Sequence, residues 1–258
     1  MGVGIITRRG YKKINFNYGI GDSVAGGYFA GIIDTTKGSI QPNDVYQVGM
    51  RYALIVAPKS LESPTTLGWC TLTNGGGAEN NCMTRWNGLS STNHIINTKS
   101  LESYPVFNHI NNIRRSSPVL YYPNGSDWYL PAMDELELLC RFLKPNTATN
   151  KEIHVTRLNF PSNSFNNQAE LGMNISAEDT DDNSYTASTP LSIFQSGGAQ
   201  ALDRERYWTS TDGNATVTGI WCGRRQGFTL SIWEGFQIAF IKDLTTHLYV
   251  RPVRRILL

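Results

Sequence analysis

Strand patterns lie near both ends of this chain, and the two clearest helix patterns lie between them. GGYFAGII (26–33) and RYALIVAPK (51–59) are rich in apolar and β-branched residues, and the second is typical of a strand covered on both faces. We expect these two to pair as an antiparallel hairpin. Four more strand patterns follow towards the C-terminus: YWTST (207–211), VTGIWC (217–222), FQIAFIK (236–242) and LYVRPVRRI (248–256). Strands at both ends with helices grouped between them predict an α+β domain with antiparallel sheets rather than an alternating βαβ fold.

The first predicted helix begins near Ser103, a favoured N-cap residue, and Pro105 suits its first turn. Its apolar residues recur at helical spacing and predict one buried face. That face comprises Val106, Phe107, Ile110 and Ile113.

The second predicted helix lies in DWYLPAMDELELLC (127–140), where Pro131 precedes a run of acidic residues. Asp134 and Glu135 fall in the first turn, where a carboxylate complements the helix dipole, and Glu137 falls opposite the apolar residues. We therefore interpret these acids as helix-start and surface residues rather than as general acids and bases. The predicted apolar face comprises Met133, Leu136, Leu139, Cys140 and Leu143.

Two intervals, 60–100 and 146–206, lack a sustained hydrophobic period. The first is read as turns, with Asn87-Gly88 among its turn signals and Trp69 and Trp86 as anchors. The second is a long polar interval, which in a compact domain is typical of function or disorder.

Charge and hydropathy narrow the classes of partner. The net charge is +2, only 17% of residues are charged, and no long basic run occurs, so we expect no binding to nucleic acid. Solvated surface charge is the predicted role of the scattered arginine pairs, including Arg254-Arg255. No apolar run approaches the roughly 20 residues of a spanning helix, and the N-terminus does not resemble a signal peptide. We expect synthesis in a cytoplasm and no membrane insertion.

The four cysteines are too sparse for a disulfide scaffold. Cys70 and Cys82 flank the segment TLTNGGGAENN, which could fold back and join them, so the sequence leaves open a 70–82 bridge or two buried thiols. The histidines show no metal-ligand spacing, and the nucleophile-elbow, phosphate-loop, zinc-protease and dinucleotide motifs do not occur. The sequence therefore favours a protein that is not an enzyme and has no required cofactor.

Three local motifs, in order, resemble a bacterial and phage domain known as the Lcl C-terminal or DUF1566-like domain, which has a C-type lectin-like fold. They are SDWYLPAMDELELL (126–139), YWTST (207–211) and VRPVR (250–254). The resemblance implies two helices packed on antiparallel sheets, paired N- and C-terminal strands and a long loop region. It also implies a domain at 26–258 with a strand lead-in at 26–60, preceded by an attachment arm at 1–25. The residues that carry it, here called the signature residues, are Trp128, Leu130, Pro131, Glu135, Leu136, Tyr207, Trp208, Arg251 and Arg254.

Ligand contacts are expected in the loops, because a rigid scaffold commonly presents its binding side chains there. Tyr185, Trp233 and Phe236 are the candidate ligand-binding aromatics. The acidic run AEDTDDN (177–183) offers the oxygen ligands that calcium prefers, but it lacks the glycine and distal glutamate of an EF-hand loop. A solvated acidic loop is the favoured interpretation. The alternative is a calcium site on Asp179, Asp181 and Asp182.

Phage versions of this domain occur in tail fibres and other virion proteins, and the resemblance therefore implies a virion protein. The favoured hypothesis is a tail-fibre or tail-tip adhesin that binds a host surface glycan or protein. The alternatives are a structural decoration, collar or baseplate subunit, and a bacterial surface adhesin, which the missing signal peptide disfavours. The expected partners are other virion proteins and further copies of the chain, with a trimer favoured.

Overall fold

The structure is a computed structural model that describes residues 17–34, 51–72, 79–82, 87–116, 126–143, 145, 191–202, 206–212, 220–225, 236–240 and 247–258. Within these ranges it contains three α-helices, which are α1 (Gly88–Thr98), α2 (Pro105–Ser116) and α3 (Met133–Phe142). The strands are β1 (Ser23–Val24), β2 (Gly27–Asp34), β3 (Arg51–Val56), β4 (Leu67–Gly68), β5 (Arg206–Trp208), β6 (Ile220–Arg225), β7 (Phe236–Phe240), β8 (His247–Leu248) and β9 (Val253–Leu257). Helices and antiparallel strand pairs occupy separate parts of the chain, so the predicted α+β class is confirmed.

The largest sheet has the order β1-β2-β3-β9 and is antiparallel throughout. It joins the two ends of the described chain, because Val56 pairs with Val253 and Tyr52 with Leu257. The predicted β2–β3 hairpin is confirmed, with a register shift between Phe29 and Gly31. Two smaller sheets have the orders β4-β8 and β5-β6-β7.

The central strand β3 is covered on both faces, as its apolar sequence predicts. Alternate residues enter different cores because successive side chains of a strand point to opposite faces. Leu54 packs with the α3 residues Leu136 and Leu139 in one core. Ile55 packs with Ile113 of α2 in another. The sheet is thus the middle layer between two groups of helical residues.

The helix α2 follows its predicted pattern, since Val106, Phe107, Ile110 and Ile113 are all buried. A short 3₁₀ turn, Leu101–Ser103, precedes it, so the α-helix begins at Pro105 rather than directly after Ser103. In α3 the predicted apolar residues Leu136 and Leu139 are buried as well, and so is Leu143, which directly follows the helix. Both predicted helices are therefore confirmed within two residues of their expected starts.

Helix α1 was not predicted, and the interpretation of 60–100 as turns is wrong over residues 88–98. The dipeptide Asn87-Gly88 is a helix start: the Asn87 side-chain oxygen accepts a hydrogen bond from the Ser90 backbone N–H at 3.2 Å. The buried face of α1 includes Gly88, Ser91 and Thr92, which do not give a hydrophobic period.

The predicted boundary between an arm at 1–25 and the domain falls inside the β1–β2 hairpin. Val24 is buried in the core that contains Trp128, and the Gly21 N–H donates to the Phe29 carbonyl at 2.7 Å. Residues 17–25 thus pack on the sheet, while 1–16 lie outside the described residues. No helix among the described residues is long and apolar enough to cross a membrane.

Candidate functional site

Every signature residue is buried in the structure. This includes the polar and charged members: Glu135 and Arg251 are both 0% exposed, and Arg254 is 4% exposed. Burial of charged groups is expensive unless they are paired and hydrogen-bonded, so the partners of these side chains define what they do.

Glu135 connects α3 and the segment directly before it to β3 and to the start of α1. Its Oε1 accepts hydrogen bonds from the hydroxyls of Tyr52 on β3, at 2.9 Å, and Tyr129, at 2.7 Å. Its Oε2 accepts from the backbone N–H groups of Ala132, at 2.7 Å, and Gly88, at 3.2 Å. Ala132 precedes the first residue of α3, and Gly88 is the first residue of α1. One carboxylate therefore satisfies unpaired donors at the N-terminal ends of two helices.

The start of α1 approaches this carboxylate so closely that only glycine fits at position 88. A Cβ there would lie 2.6 Å from both Glu135 Oε2 and the Ala132 nitrogen, and it would also contact the Leu130 carbonyl oxygen. Beside it, Arg255 on β9 donates from Nη1 to Asn87 Oδ1 at 3.2 Å. We name Glu135, Tyr52, Tyr129, Gly88 and Ala132 the Glu135 joint.

The surroundings of Glu135 have opposing effects on the pKa of its carboxyl group. Burial raises the pKa of Glu135, while the Ala132 N–H, the two tyrosine hydroxyls and the charge of Arg255 lower it; the burial effect is the largest. Burial also raises the pKa of Tyr52 and Tyr129 well above the ordinary range, with a further contribution from the neighbouring carboxylate. Both tyrosine hydroxyls are therefore neutral at any physiological pH.

Arg251 forms a second buried connection. Its Nη1 contacts Glu62 Oε2 at 3.1 Å, its Nε donates to the Ala57 carbonyl at 2.9 Å, and its Nη2 donates to the Gln200 carbonyl at 3.2 Å. The Tyr207 hydroxyl also donates to Glu62 Oε2, at 3.0 Å. The VRPVR and YWTST motifs therefore meet at one carboxylate.

Arg254 stacks on the tryptophan of the first motif, with its Cζ 3.9 Å from the centroid of the Trp128 ring. Its Nη1 donates to the Ala25 carbonyl at 2.9 Å. Arg255 is also buried, so the interpretation of the Arg254-Arg255 pair as solvated surface charge is wrong. The long alkyl stems and planar heads of both side chains pack inside the fold.

A further polar cluster, centred on Glu79, was not predicted. The Glu79 carboxylate accepts from the Tyr104 hydroxyl at 2.7 Å and pairs with Lys99 Nζ at 2.9 Å, and it is 4% exposed. Its backbone N–H donates to Asp212 Oδ2 at 2.7 Å. The sequence offered no signal for this cluster because its members lie in three distant, unpatterned segments.

The two cysteines of the proposed bridge are both buried, and the structure records them as thiols rather than as a disulfide. The Cys82 Sγ lies 3.7 Å from the Ser91 carbonyl oxygen, and the Leu72 N–H donates to Cys70 Sγ at 3.4 Å. The 70–82 bridge is therefore absent here, and the alternative of two buried thiols holds.

The candidate ligand residues lie almost entirely outside the described residues. This applies to Tyr185 and Trp233, and to the candidate calcium ligands Asp179, Asp181 and Asp182. Phe236 is the first residue of β7, which belongs to the β5-β6-β7 sheet. The structure does not describe its side chain. In the part of the chain that the structure describes, no group of three or more histidine, cysteine or acidic side chains could hold a metal ion.

Comparison of the chain with protein-family models, curated proteins and solved structures found no match. The signature residues and their buried contacts are therefore the observations on which a functional proposal rests.

Proposed function

We propose that this chain is a bacteriophage virion protein, a tail-fibre or tail-tip adhesin whose C-type lectin-like domain binds a host surface glycan or protein through its loops. The observation that carries the proposal is the burial of every signature residue. The residues that resemble the phage domain act as scaffold, through the Glu135 joint, the Arg251–Glu62 pair and the Trp128–Arg254 stack. Ligand contacts then fall to the loops, which vary in such scaffolds.

The part of the predicted arm that precedes the β1–β2 hairpin, residues 1–16, suits attachment to another virion protein by strand addition. The same segment suits packing against other copies of the chain. A homotrimer is the proposed assembly, and light scattering of the purified chain measures its mass.

Binding of the fluorescently labelled chain to a panel of bacterial strains tests the adhesin proposal. We expect saturable binding to some strains, with competition by unlabelled chain. Replacing Tyr185, Trp233 and Phe236 together with alanine is expected to weaken binding at least about tenfold, because buried aromatic residues commonly dominate recognition. Circular dichroism establishes that the variant is folded, and Tyr18→Ala, which changes an exposed aromatic residue outside this set, is the matched control.

Repeating the binding titration in EDTA distinguishes a solvated acidic loop from a calcium site at residues 177–183. Unchanged binding supports the solvated loop, whereas lost binding that calcium restores supports a site on Asp179, Asp181 and Asp182. The adhesin role would be contradicted if the chain bound no strain and immunogold labelling placed it on the capsid or tail tube. That result would favour the structural subunit.

A further inference from the structure

The two carboxylate oxygens of Glu135 meet different kinds of partner. Oε2 faces two backbone N–H groups, which can only donate hydrogen bonds. Oε1 faces the hydroxyls of Tyr52 and Tyr129, and a hydroxyl can donate or accept. A proton on Oε2 would point at two donors, whereas a proton on Oε1 would find an acceptor after one hydroxyl rotates. The geometry therefore selects Oε1 as the site of protonation.

Protonation at Oε1 leaves the contacts of the joint in place. The new O–H donates to the oxygen of one tyrosine, the other tyrosine continues to donate to Oε1, and both N–H groups continue to donate to Oε2. The proton comes from solvent, and no covalent bond other than this O–H forms or breaks. Only a hydroxyl hydrogen moves, so neither helix has to shift.

In the part of the chain that the structure describes, few charged and titratable groups surround the joint. Strand β3 contributes Tyr52, the segment before α3 contributes Tyr129, and β9 contributes Arg255, whose Cζ lies 5.3 Å from the centroid of the Tyr52 ring. Asn87 and Gly88, at the start of α1, do not titrate. Among the described side chains, Arg255 is the cation that opposes protonation, while complete burial of the carboxyl favours it.

We propose that the Glu135 joint is a proton-accepting device: in the folded protein it takes up a proton on Oε1 in acid and remains closed. The usual behaviour of a buried, hydrogen-bonded carboxylate is the opposite, since acid normally breaks such contacts. The device would keep the α1–α3 scaffold joined in acid, whatever the protein binds.

The sign of the effect follows from linkage. Burial raises the pKa of Glu135 in the folded state above its ordinary value of 4.5, so the folded protein binds the proton more tightly than the unfolded chain. Relative to a neutral isostere, the wild-type protein gains stability as pH falls through the folded-state pKa. The gain is complete below the unfolded-state pKa.

Glu135→Gln provides that isostere. The glutamine oxygen can accept from Gly88 and Ala132, and its NH₂ group can donate to both tyrosine oxygens. We expect the wild-type Tm minus the variant Tm to increase as pH falls from about 8 to about 4, by roughly 3–5 °C for each pH unit between the two pKa values. A difference that decreases with falling pH, or that stays constant over this range, would overturn the proposal.

A second measurement covers the case in which Glu135→Gln does not fold. In wild-type protein carrying ¹³C-labelled glutamate, the Glu135 carboxyl resonance is assigned by its displacement in Tyr129→Phe. A titration midpoint above 4.5 in the folded protein supports the proposal, and a midpoint at or below 4.5 overturns it.

Discussion

Glu135→Ala is expected to lower the free energy of unfolding by about 4–6 kcal/mol, because four buried donors lose their acceptor at about 1–3 kcal/mol each and relief of carboxylate burial offsets part of this. The donors are the hydroxyls of Tyr52 and Tyr129 and the N–H groups of Gly88 and Ala132. Urea unfolding followed by tryptophan fluorescence measures the change.

Glu102→Ala is the matched control, because Glu102 is an exposed glutamate in the 3₁₀ turn before α2. Its expected effect is within about 0.5 kcal/mol. If the two alanine variants were equally stable, Glu135 would be a surface helix-start residue, as the sequence pattern alone indicates.

Arg251→Ala is expected to lower the free energy of unfolding by about 3–5 kcal/mol, since it leaves the buried Glu62 carboxylate without its cation. It also leaves the carbonyls of Ala57 and Gln200 without these donors. Arg115→Ala, at an exposed position of α2, is expected to change stability by no more than about 0.5 kcal/mol.

A double-mutant cycle distinguishes loss of the ion pair from loss of packing. Adding Glu62→Gln to Arg251→Ala removes the uncompensated charge, so the double variant is expected to be more stable than the sum of the single effects by about 1–3 kcal/mol. Additive effects would mean that Arg251 acts through its packing and its carbonyl hydrogen bonds, and not through Glu62.

Hydrophobic patterning predicted the strands β2 and β3, which are short apolar runs, and the helices α2 and α3, which bury apolar faces of helical spacing. Phe107 and Ile110 of α2, for example, lie one turn apart and are both fully buried. Helix α1 escaped prediction for the converse reason. It buries Ser91 and Thr92, and the Thr92 hydroxyl accepts a hydrogen bond from the Leu130 N–H at 3.1 Å.

The burial of polar and charged side chains also limited what could be predicted about the site. Glu135 was placed correctly in the first turn of α3, and its donors Tyr129 and Ala132 are local, but Gly88 and Tyr52 lie 47 and 83 residues away. Local spacing does not contain that information. Arg254 and Arg255 were misinterpreted for the same reason, because their partners Trp128, Ala25 and Asn87 are distant in sequence.

The central claim is that one carboxylate closes the N-terminal ends of two helices, and amide hydrogen exchange of Gly88 and Ala132 tests it most directly. We predict that both amides exchange only through global unfolding in the wild-type protein, since each donates to buried Glu135 Oε2. In Glu135→Ala both are predicted to exchange faster, and by a similar factor. Exchange of either amide at the rate of an exposed N–H in the wild-type protein, or acceleration of only one of them in the variant, would contradict the claim.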